Sequence, residues 1–189
     1  MVFVAVDEVG DPVAVRQWTP VTMLELQRQR QARVRIRTRK RIEEAIAAQA
    51  YSSSGTAPST TRHIIVSRAD VNSYGVVHGG RVMRWIDDAA NVCAADWSGF
   101  RGLTSYVVAI RFCRPVSAGD HLEVATRIVH TGPRSTHVGV RVTATAMVTG
   151  MTHVAAEGLV VVVSLDGRGG ARPVPQWTPD CDDDRRLDR

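Results

Sequence analysis

One helix in the middle of the chain carries the acidic side chain best placed for chemistry. Residues 79–97 contain no proline, and apolar residues recur at intervals of three and four, which predicts that one face packs against a core. This predicted apolar stripe consists of Met83, Ile86, Ala90, Cys93 and Trp97. Asp87 lies at the edge of the stripe, whereas Asp88 falls with Asn91 on the more polar side. Because desolvation disfavours a charged carboxylate unless it is paired or used, Asp87 is a candidate catalytic group. The alternative is a partly exposed surface aspartate.

Two glycines, Gly79 and Gly80, begin this helix. The first amides of a helix have no partner within it, and they point with the positive end of the helix dipole. Glycine also lets a ligand approach the backbone closely. The pair is therefore a candidate site for a developing oxyanion, although glycine also begins helices for conformational reasons alone.

The segments around the helix predict an α+β fold. A short β-branched segment, 61–67, precedes the helix, and four long β-rich segments follow it at 103–112, 121–130, 135–150 and 154–165. One long helix among five strands predicts a curved antiparallel sheet wrapped around one buried helix.

The order of turns and glycines around the helix resembles a known family. The segments DVNSYGVVHGGRVMRWIDDAANVCA and VAIRFCRPVSAGDHLEVATRIVHTGPRST are similar to the hotdog-fold acyl-CoA thioesterases. The shared pattern is an Asn-x-x-Gly turn, a Gly-Gly helix start, an aspartate on the helix, a Pro-Val-x-x-Gly-Asp turn and a Gly-x-x-Ser hairpin. The match covers residues 62–179. The resemblance implies the hotdog fold and the hydrolysis of acyl-CoA thioesters to free fatty acid and coenzyme A.

The resemblance also implies roles for individual residues. Asp87 takes the position of the catalytic carboxylate, as general base or nucleophile, and Asn72 that of the asparagine across the site. Gly79 and Gly80 match the backbone donors for the thioester carbonyl. Sites in this family form between two units, so a homodimer or higher homo-oligomer is expected to pair Asn72 of one copy with Asp87 of the other.

Further residues are expected to contact the substrate. By resemblance, Ser135 falls where the family contacts the pantetheine or phosphate part of coenzyme A, and Arg134 is expected to meet the phosphates. His78 is expected to line the substrate or to be structural. The acyl tunnel is expected to include Val108, Ile110 and Trp85.

The same four letters, QWTP, occur at residues 17–20 and 176–179. Residues 3–20 and 162–179 share eight identities in eighteen positions, far more than composition alone produces. Residues 1–21 are therefore interpreted as a remnant of the end of a preceding hotdog unit, and the chain resembles the C-terminal half of a tandem double-hotdog thioesterase. The alternative is a single-hotdog protein with a similar leader.

A basic segment separates this remnant from the hotdog domain. Residues 22–50 lack glycine and proline and predict a helix, with eight basic residues in the fourteen from 28 to 41. A nucleic-acid-binding arm and a solvated helical extension are both compatible with this pattern. The extension is favoured, and no nucleic-acid partner is expected, because no aromatic residue is interleaved with the arginines. Residues 51–61 predict a polar linker, and 180–189 a polar tail that frays.

Composition narrows the class of protein. A hydrophobic fraction of 44% with 23% charged residues is typical of a globular chain. The N-terminal segment lacks a basic leader and a long apolar run, so neither a signal peptide nor a membrane span is predicted, and a cytoplasmic location is expected. Three cysteines without Cys-x-x-Cys spacing and six scattered histidines predict no metal site, and no cofactor is expected beyond the coenzyme A of the substrate.

Three other functions are compatible with a hotdog domain. A dehydratase would need a histidine on the central helix, and residues 79–97 contain none. An acyl-CoA-binding sensor would explain the basic segment but has no need of Asp87. A catalytically inactive half retained for assembly is the strongest competitor to an active thioesterase.

Overall fold

The structure, a computed structural model, describes residues 4–8, 11–48 and 55–187. The chain divides into two compact units, residues 1–41 and 42–189. Parts of the sequence predictions lie outside the described residues: the first three residues and residues 9–10 of the remnant, 49–50 of the basic helix, 51–54 of the linker and 188–189 of the tail.

The first unit consists of an extended segment and most of helix α1. A bridge between Val6 and Pro12 closes a turn in the extended segment. Helix α1 spans Met23–Ala48, and its first turn is capped reciprocally by Thr22 and Glu25. Most residues of the basic stretch 28–41 are exposed, as expected of a helix without a continuous apolar face.

The second unit contains a five-stranded antiparallel sheet. Its strands are β1 (Ser59–Ile65), β2 (Gly102–Phe112), β3 (His121–Thr131), β4 (Ser135–Thr145) and β5 (Thr152–Ser164). They lie in the order β1-β3-β4-β5-β2, so β1 and β2 are the two edges. Alternate residues of β4 are buried, which is the pattern of a strand with one face on a core.

Strand β1 begins earlier than the sequence predicts. It was expected at 61–67, but residues 59–61 already pair with residues 125–127 of β3. The last three residues of the predicted linker therefore belong to the sheet. Their polar composition indicated a linker, yet threonine suits an exposed edge strand, and the Thr126 hydroxyl donates to the carbonyl oxygen of Thr60 at 2.9 Å.

Helix α2, Gly79–Ser98, packs across the sheet and ends at Gly99, whose φ of 75° is in the left-handed region. The α+β arrangement predicted from the sequence, one long helix against an antiparallel sheet, is confirmed. The predicted helix face is partly wrong, because Met83 is 44% exposed and Val82 occupies the core in its place. The buried residues of α2 are Val82, Ile86, Ala89, Ala90, Cys93, Ala94 and Ser98.

Part of the predicted polar tail is helical. Residues 182–187 form a short helix, α3, and Asp184 is fully buried. Its carboxylate accepts hydrogen bonds from the backbone amide and hydroxyl of Thr56 and lies 3.8 Å from the guanidinium of buried Arg127. Residues 182–187 therefore bring an anionic partner to a buried arginine on β3.

Two negative findings apply to the described residues. None of their helices is long and apolar enough to cross a membrane. No group of three or more histidine, cysteine, aspartate or glutamate side chains within this part of the chain has the arrangement of a metal site.

Candidate active site

The segment that leads into α2 is held by a buried carboxylate. Asp70 accepts hydrogen bonds from the Ser67 hydroxyl at 2.6 Å and the Ser67 amide at 3.0 Å, and its other oxygen lies 2.6 Å from Nε of Arg81. The Ser67 hydroxyl and then the Arg81 guanidinium hold the pKa of Asp70 below its usual range. Because Arg81 lies in the first turn of α2, this contact fixes the loop to the start of the helix.

Asn72 organises the turn within this loop. Its side-chain oxygen accepts from the backbone amides of Tyr74 at 2.9 Å and Val76 at 3.1 Å, the geometry of a local side-chain turn. Gly75 completes the turn with a φ of 74°, which favours glycine. The oxygen of Asn72 is therefore committed to the fold, and its amide nitrogen is the group left for a ligand.

The two glycines at the start of α2 present backbone amides. The Arg81 and Val82 amides both donate to the His78 carbonyl oxygen, and the His78 side chain makes no capping hydrogen bond. Within the described chain, the Gly79 and Gly80 amides have no acceptor. A Cβ added at Gly80 would meet no atom within 4 Å, so packing within one chain does not require glycine there. The space beside Gly80 is open to a ligand or a second copy.

Asp87 ends a short chain of hydrogen bonds. Asn91 donates through Nδ2 to the Asp87 carbonyl oxygen at 3.0 Å and to the Thr104 hydroxyl at 2.9 Å. Because that hydroxyl accepts from Asn91, its own hydrogen is directed to Asp87 Oδ1, 2.5 Å away. Oδ2 of Asp87 accepts no hydrogen bond from a described residue, so one carboxylate oxygen is held and the other is available.

Two cavities meet at Asp87. The larger, about 630 Å³, is lined by Arg62, Asp87, Asp88, Asn91, Val92, Gly102, Leu103 and Thr104. The smaller, about 300 Å³, is lined by Gly80, Met83, Arg84, Ile86, Asp87, Val107, Ile110 and Val160. The larger cavity is lined by more polar side chains than the smaller one, and the sizes of both are typical of small-molecule sites. Asp87 is half-buried in the wall that both share.

The structure brings some of the predicted site residues together. Asp87 and Gly80 line the same cavity. Asn72, His78, Gly79, Arg134 and Ser135 are not among the residues that line either cavity of the single chain. Arg134 and Ser135 lie in the hairpin between β3 and β4, where the Gly132 amide donates to the Ser135 carbonyl oxygen.

The acyl-tunnel prediction is partly matched. Ile110 lines the smaller cavity, but Val107 does so in place of Val108, and Trp85 is not in the lining. Strand β2 has irregular register between Val107 and Ala109, which shifts the alternation of its side chains.

Three residues of the larger cavity were missed by the sequence analysis. Thr104 and Asn91 form the support of Asp87, and Arg62 is an exposed cation on β1 at the cavity wall. The helical period places Asn91 with Asp88, and both line the larger cavity, where Asn91 also contacts Asp87. A signal was present, because Asn91 follows Asp87 by four residues and therefore lies one helical turn further along the same side.

The edge strand β2 borders the smaller cavity and is unusually apolar at its surface. Leu103, Tyr106, Val107 and Phe112 are all exposed large hydrophobic residues on this strand. An edge strand with apolar side chains offers unpaired backbone groups for another chain. The smaller cavity therefore opens next to an exposed apolar edge strand.

Comparison with known proteins identifies similar domains. Residues 74–151 match the thioesterase superfamily. A Bacillus subtilis protein named as an uncharacterised acyl-CoA thioester hydrolase, YkhA, is 28% identical over 118 residues, which are 62% of this chain and 69% of that protein. The human cytosolic acyl coenzyme A thioester hydrolase is 30% identical over 124 residues, which are 65% of this chain. These residues match only 33% of the human protein, so the chain spans about a third of that relative.

A solved structure supports the same family. An apo-hexameric acyl-CoA thioesterase is 30% identical to this chain, with a TM-score of 0.66. The match covers 70% of this chain and 85% of that protein.

Proposed function

Because this chain belongs to the acyl-CoA thioester hydrolases of the thioesterase superfamily, we propose that it hydrolyses acyl-CoA thioesters to free acids and coenzyme A. The observation that carries this proposal is Asp87, half-buried between two cavities with one oxygen held by Thr104 and the other available. The reaction needs no cofactor apart from the coenzyme A of the substrate.

Helix geometry argues that Gly80 and Asp87 of one copy do not act on the same carbonyl. Seven residues of α-helix span about 10 Å along the axis. A carbonyl oxygen that accepts from the Gly80 amide would lie about 3 Å from that amide, on the side away from Asp87. A water molecule bound to Asp87 extends the reach of the carboxylate by only about 3 Å, which does not close the gap. We therefore propose that the donor amide of one copy faces the carboxylate of another.

Asn72 belongs with Gly80 in this arrangement. The Asp70–Arg81 contact and the hydrogen bond from the His78 amide to the Asp70 carbonyl oxygen hold the Asn72 turn and the helix start together. One copy would then supply the Gly80 amide and the Asn72 amide nitrogen, and its partner would supply Asp87 and Thr104. Contact through the apolar edge strand β2 of a two-fold dimer would create two equivalent sites.

In the proposed reaction the Gly80 amide stabilises the oxyanion that forms on the thioester carbonyl. As general base, Asp87 takes a proton from water while the water oxygen bonds to the acyl carbon; the C–S bond then breaks and the thiolate receives the proton. As nucleophile, Asp87 bonds to the acyl carbon, releases the thiolate and leaves an anhydride that water hydrolyses. Uptake of ¹⁸O from water into the Asp87 carboxylate during turnover would mark a nucleophilic route in which water attacks the Asp87 carbonyl. Because water can instead attack the acyl carbon of the anhydride and leave Asp87 unlabelled, trapping of the anhydride with hydroxylamine is the second readout, and the absence of both label and trapped anhydride supports the general base.

Cationic side chains would hold the nucleotide end of the substrate. Arg62 lies in the wall of the larger cavity, and we propose that it binds a phosphate there. Arg134 and Ser135 of the β3–β4 hairpin line neither cavity of the single chain, and we propose that they contact the nucleotide end in a site completed by another copy. The smaller cavity, with Met83, Val107 and Ile110, would receive the acyl chain.

The first test is thiol release by the wild-type protein from acyl-CoAs of increasing chain length. Turnover that saturates with substrate is expected for at least one chain length. Saturable binding of acyl-CoA without turnover at any length would instead support the acyl-CoA-binding sensor or the catalytically inactive domain.

The second test asks whether two copies share each site. Asn72→Asp keeps the oxygen that accepts from Tyr74 and Val76 but removes the amide nitrogen, and Asp87→Asn removes the carboxylate. Each variant alone is expected to be nearly inactive. Co-expression of the two should restore about a quarter of wild-type activity, because half of the dimers are mixed and each mixed dimer has one intact site. No restoration would place both residues in one copy.

A further inference from the structure

Two distant segments of the chain form the same turn. In the first, the Asp7 amide donates to the Asp11 carbonyl oxygen at 2.9 Å and the Asp11 amide donates to Asp7 Oδ1 at 2.9 Å. At the same spacing, 159 residues later, the Asp166 amide donates to the Gly170 carbonyl oxygen at 2.8 Å and the Gly170 amide to Asp166 Oδ1 at 2.8 Å. A similar sequence therefore produces the same hydrogen bonds twice.

The flanking contacts correspond as well. The bridge between Val6 and Pro12 has its counterpart in the bridge between Leu165 and Ala171. The bond from the Val13 amide to the Ala5 carbonyl oxygen corresponds to the bond from Arg172 to Ser164, at 2.9 and 3.0 Å. The likeness thus continues on both sides of the turn.

Both segments then lead into a helix at the same point. Helix α1 begins at Met23 and α3 begins at Asp182, again 159 residues apart. In α1 the Leu26 amide donates to the Thr22 carbonyl oxygen, and in α3 the Arg185 amide donates to the Cys181 carbonyl oxygen, both at 3.0 Å. Among the described residues, the repeat is therefore structural at the turn between residues 5 and 13 and again at the helix start.

The second segment, residues 163–181, is bound to the hotdog domain. The Trp97 indole donates to the Pro175 carbonyl oxygen, and the Trp177 amide donates to the Thr131 hydroxyl, each at 2.9 Å. Gln176 donates through Nε2 to the Gly132 carbonyl oxygen at 3.0 Å, and Val174 is only 6% exposed. The end of α2 and the β3–β4 hairpin therefore form a docking surface for this segment.

The first segment, residues 4–22, has the same apolar residues at the corresponding positions, but they are exposed. Val15 corresponds to Val174 and is 69% exposed, and Trp18 corresponds to Trp177 and is 55% exposed. Gln17 corresponds to Gln176. Val174 is buried and Trp177 is half-buried, whereas their counterparts are exposed, and this difference indicates a missing partner of the same kind.

We infer that residues 4–22 are the terminal segment of a second hotdog unit and dock on the helix end and the β3–β4 hairpin of that unit. Another copy of this chain does not offer the surface, because its own residues 163–181 occupy it. The partner is a hotdog unit whose surface is vacant, and α1 is the helix that connects it to the domain described above.

A segment exchange within the full chain tests whether residues 4–22 fit a hotdog unit. Residues 163–179 are replaced by a copy of residues 4–20. We expect the chimera to melt within about 5 °C of the wild type, because the shared hydrogen bonds and apolar contacts are kept. The matched control is the same chimera with Val15→Ser and Trp18→Ala in the transplanted copy, which should melt more than about 10 °C below the wild type. A chimera no more stable than this control would overturn the inference.

A measurement on the unexchanged protein separates a second hotdog unit from a second copy of the chain. Sedimentation of the wild type and of Trp18→Ala should give the same oligomeric state. If Trp18→Ala dissociates the oligomer, residues 4–22 dock on another copy of this chain, and the inference is wrong.

Discussion

Asp87 and Glu157 are both carboxylates in largely apolar segments, but their surroundings differ. Glu157 on β5 accepts hydrogen bonds from Arg111 at 2.6 Å and from two nitrogens of Arg141 at 2.9 and 3.1 Å. Asp87 on α2 accepts one side-chain hydrogen bond, from a neutral hydroxyl, and lines two cavities. One carboxylate is neutralised within the fold, and the other keeps an oxygen available. The comparison separates a structural carboxylate from one that can do chemistry, and substitutions at each should affect different properties.

The largest effect is expected at Asp87. Asp87→Asn keeps the size of the side chain and an acceptor for Thr104 but removes the base or nucleophile, so kcat/KM for acyl-CoA should fall by a factor of about 10² to 10⁴. The melting temperature should stay close to that of the wild type, because no described cation is paired with Asp87. Thiol release and thermal unfolding on the same preparation measure both. Turnover equal to the wild type would remove Asp87 from the reaction.

Glu157→Gln should instead reduce stability. Removing one charge of a buried ion pair leaves the other uncompensated, and because Arg111 and Arg141 are partly exposed we expect a loss of about 2 kcal/mol in the free energy of unfolding. Activity per folded molecule should remain. Urea unfolding and thiol release measure the two quantities, and Glu123→Gln on β3, a carboxylate that is exposed, is a matched control.

The lowered pKa of Glu157 predicts how its contribution to the free energy of unfolding changes with pH. Burial alone would raise the pKa of Glu157, but hydrogen bonds from Arg111 and Arg141 outweigh it and hold the pKa below its usual range. A lowered pKa stabilises the fold above the pKa of the unfolded state, and this contribution is lost as pH falls through the folded pKa. The difference in unfolding free energy between wild type and Glu157→Gln should therefore be constant near neutrality and shrink below about pH 4.5. A difference that grows in acid would contradict the assignment.

A smaller effect on activity is expected at Thr104. Thr104→Val keeps the β-branched shape but removes the hydroxyl that holds Oδ1 of Asp87, so kcat should fall about tenfold with KM nearly unchanged, the loss expected for misplacing a catalytic group. Thr104→Ser restores the hydroxyl and should recover most of the rate. Steady-state kinetics of both variants distinguish positioning from packing: an equal loss in the serine variant, which has the hydroxyl, would mean that the hydroxyl alone does not position Asp87.

Helix periodicity alone predicts where the two neighbouring aspartates lie on α2. The edge position of Asp87 and the exposed position of Asp88 follow from a period of 3.6 residues, and both agree with the structure. Thr104 could not be placed, because it reaches Asp87 from another element and β2 changes register twice, between Thr104 and Tyr106 and between Val107 and Ala109. Alternation fails where a strand is irregular.

Other residues could not be placed from the sequence because their surroundings depend on how the elements pack together. Met83 fits the helical stripe, but the core uses Val82, and Met83 lines a cavity instead. Asp184 has no periodic pattern, and its burial depends on Arg127, whose neighbours are known only once the sheet is assembled. Glu157 likewise gains its partners from β2 and β4. Local patterns fix the elements, whereas polar partners across the sheet depend on register.

The smallest effect is expected at Asp88, next to Asp87 on the same helix. Asp88 is exposed and lies 3.9 Å from Arg84 one turn earlier, a surface pair expected to contribute about 0.2 to 0.5 kcal/mol to stability. Asp88→Asn should change kcat/KM less than twofold and leave the melting temperature within about 2 °C of the wild type. Asp88 also lines the larger cavity, so its negative charge would interact with a bound phosphate. Any effect of Asp88→Asn on the kinetics should therefore appear in KM. A fall in kcat comparable to that of Asp87→Asn would mean that the two neighbouring carboxylates act together, and the distinction between them would fail.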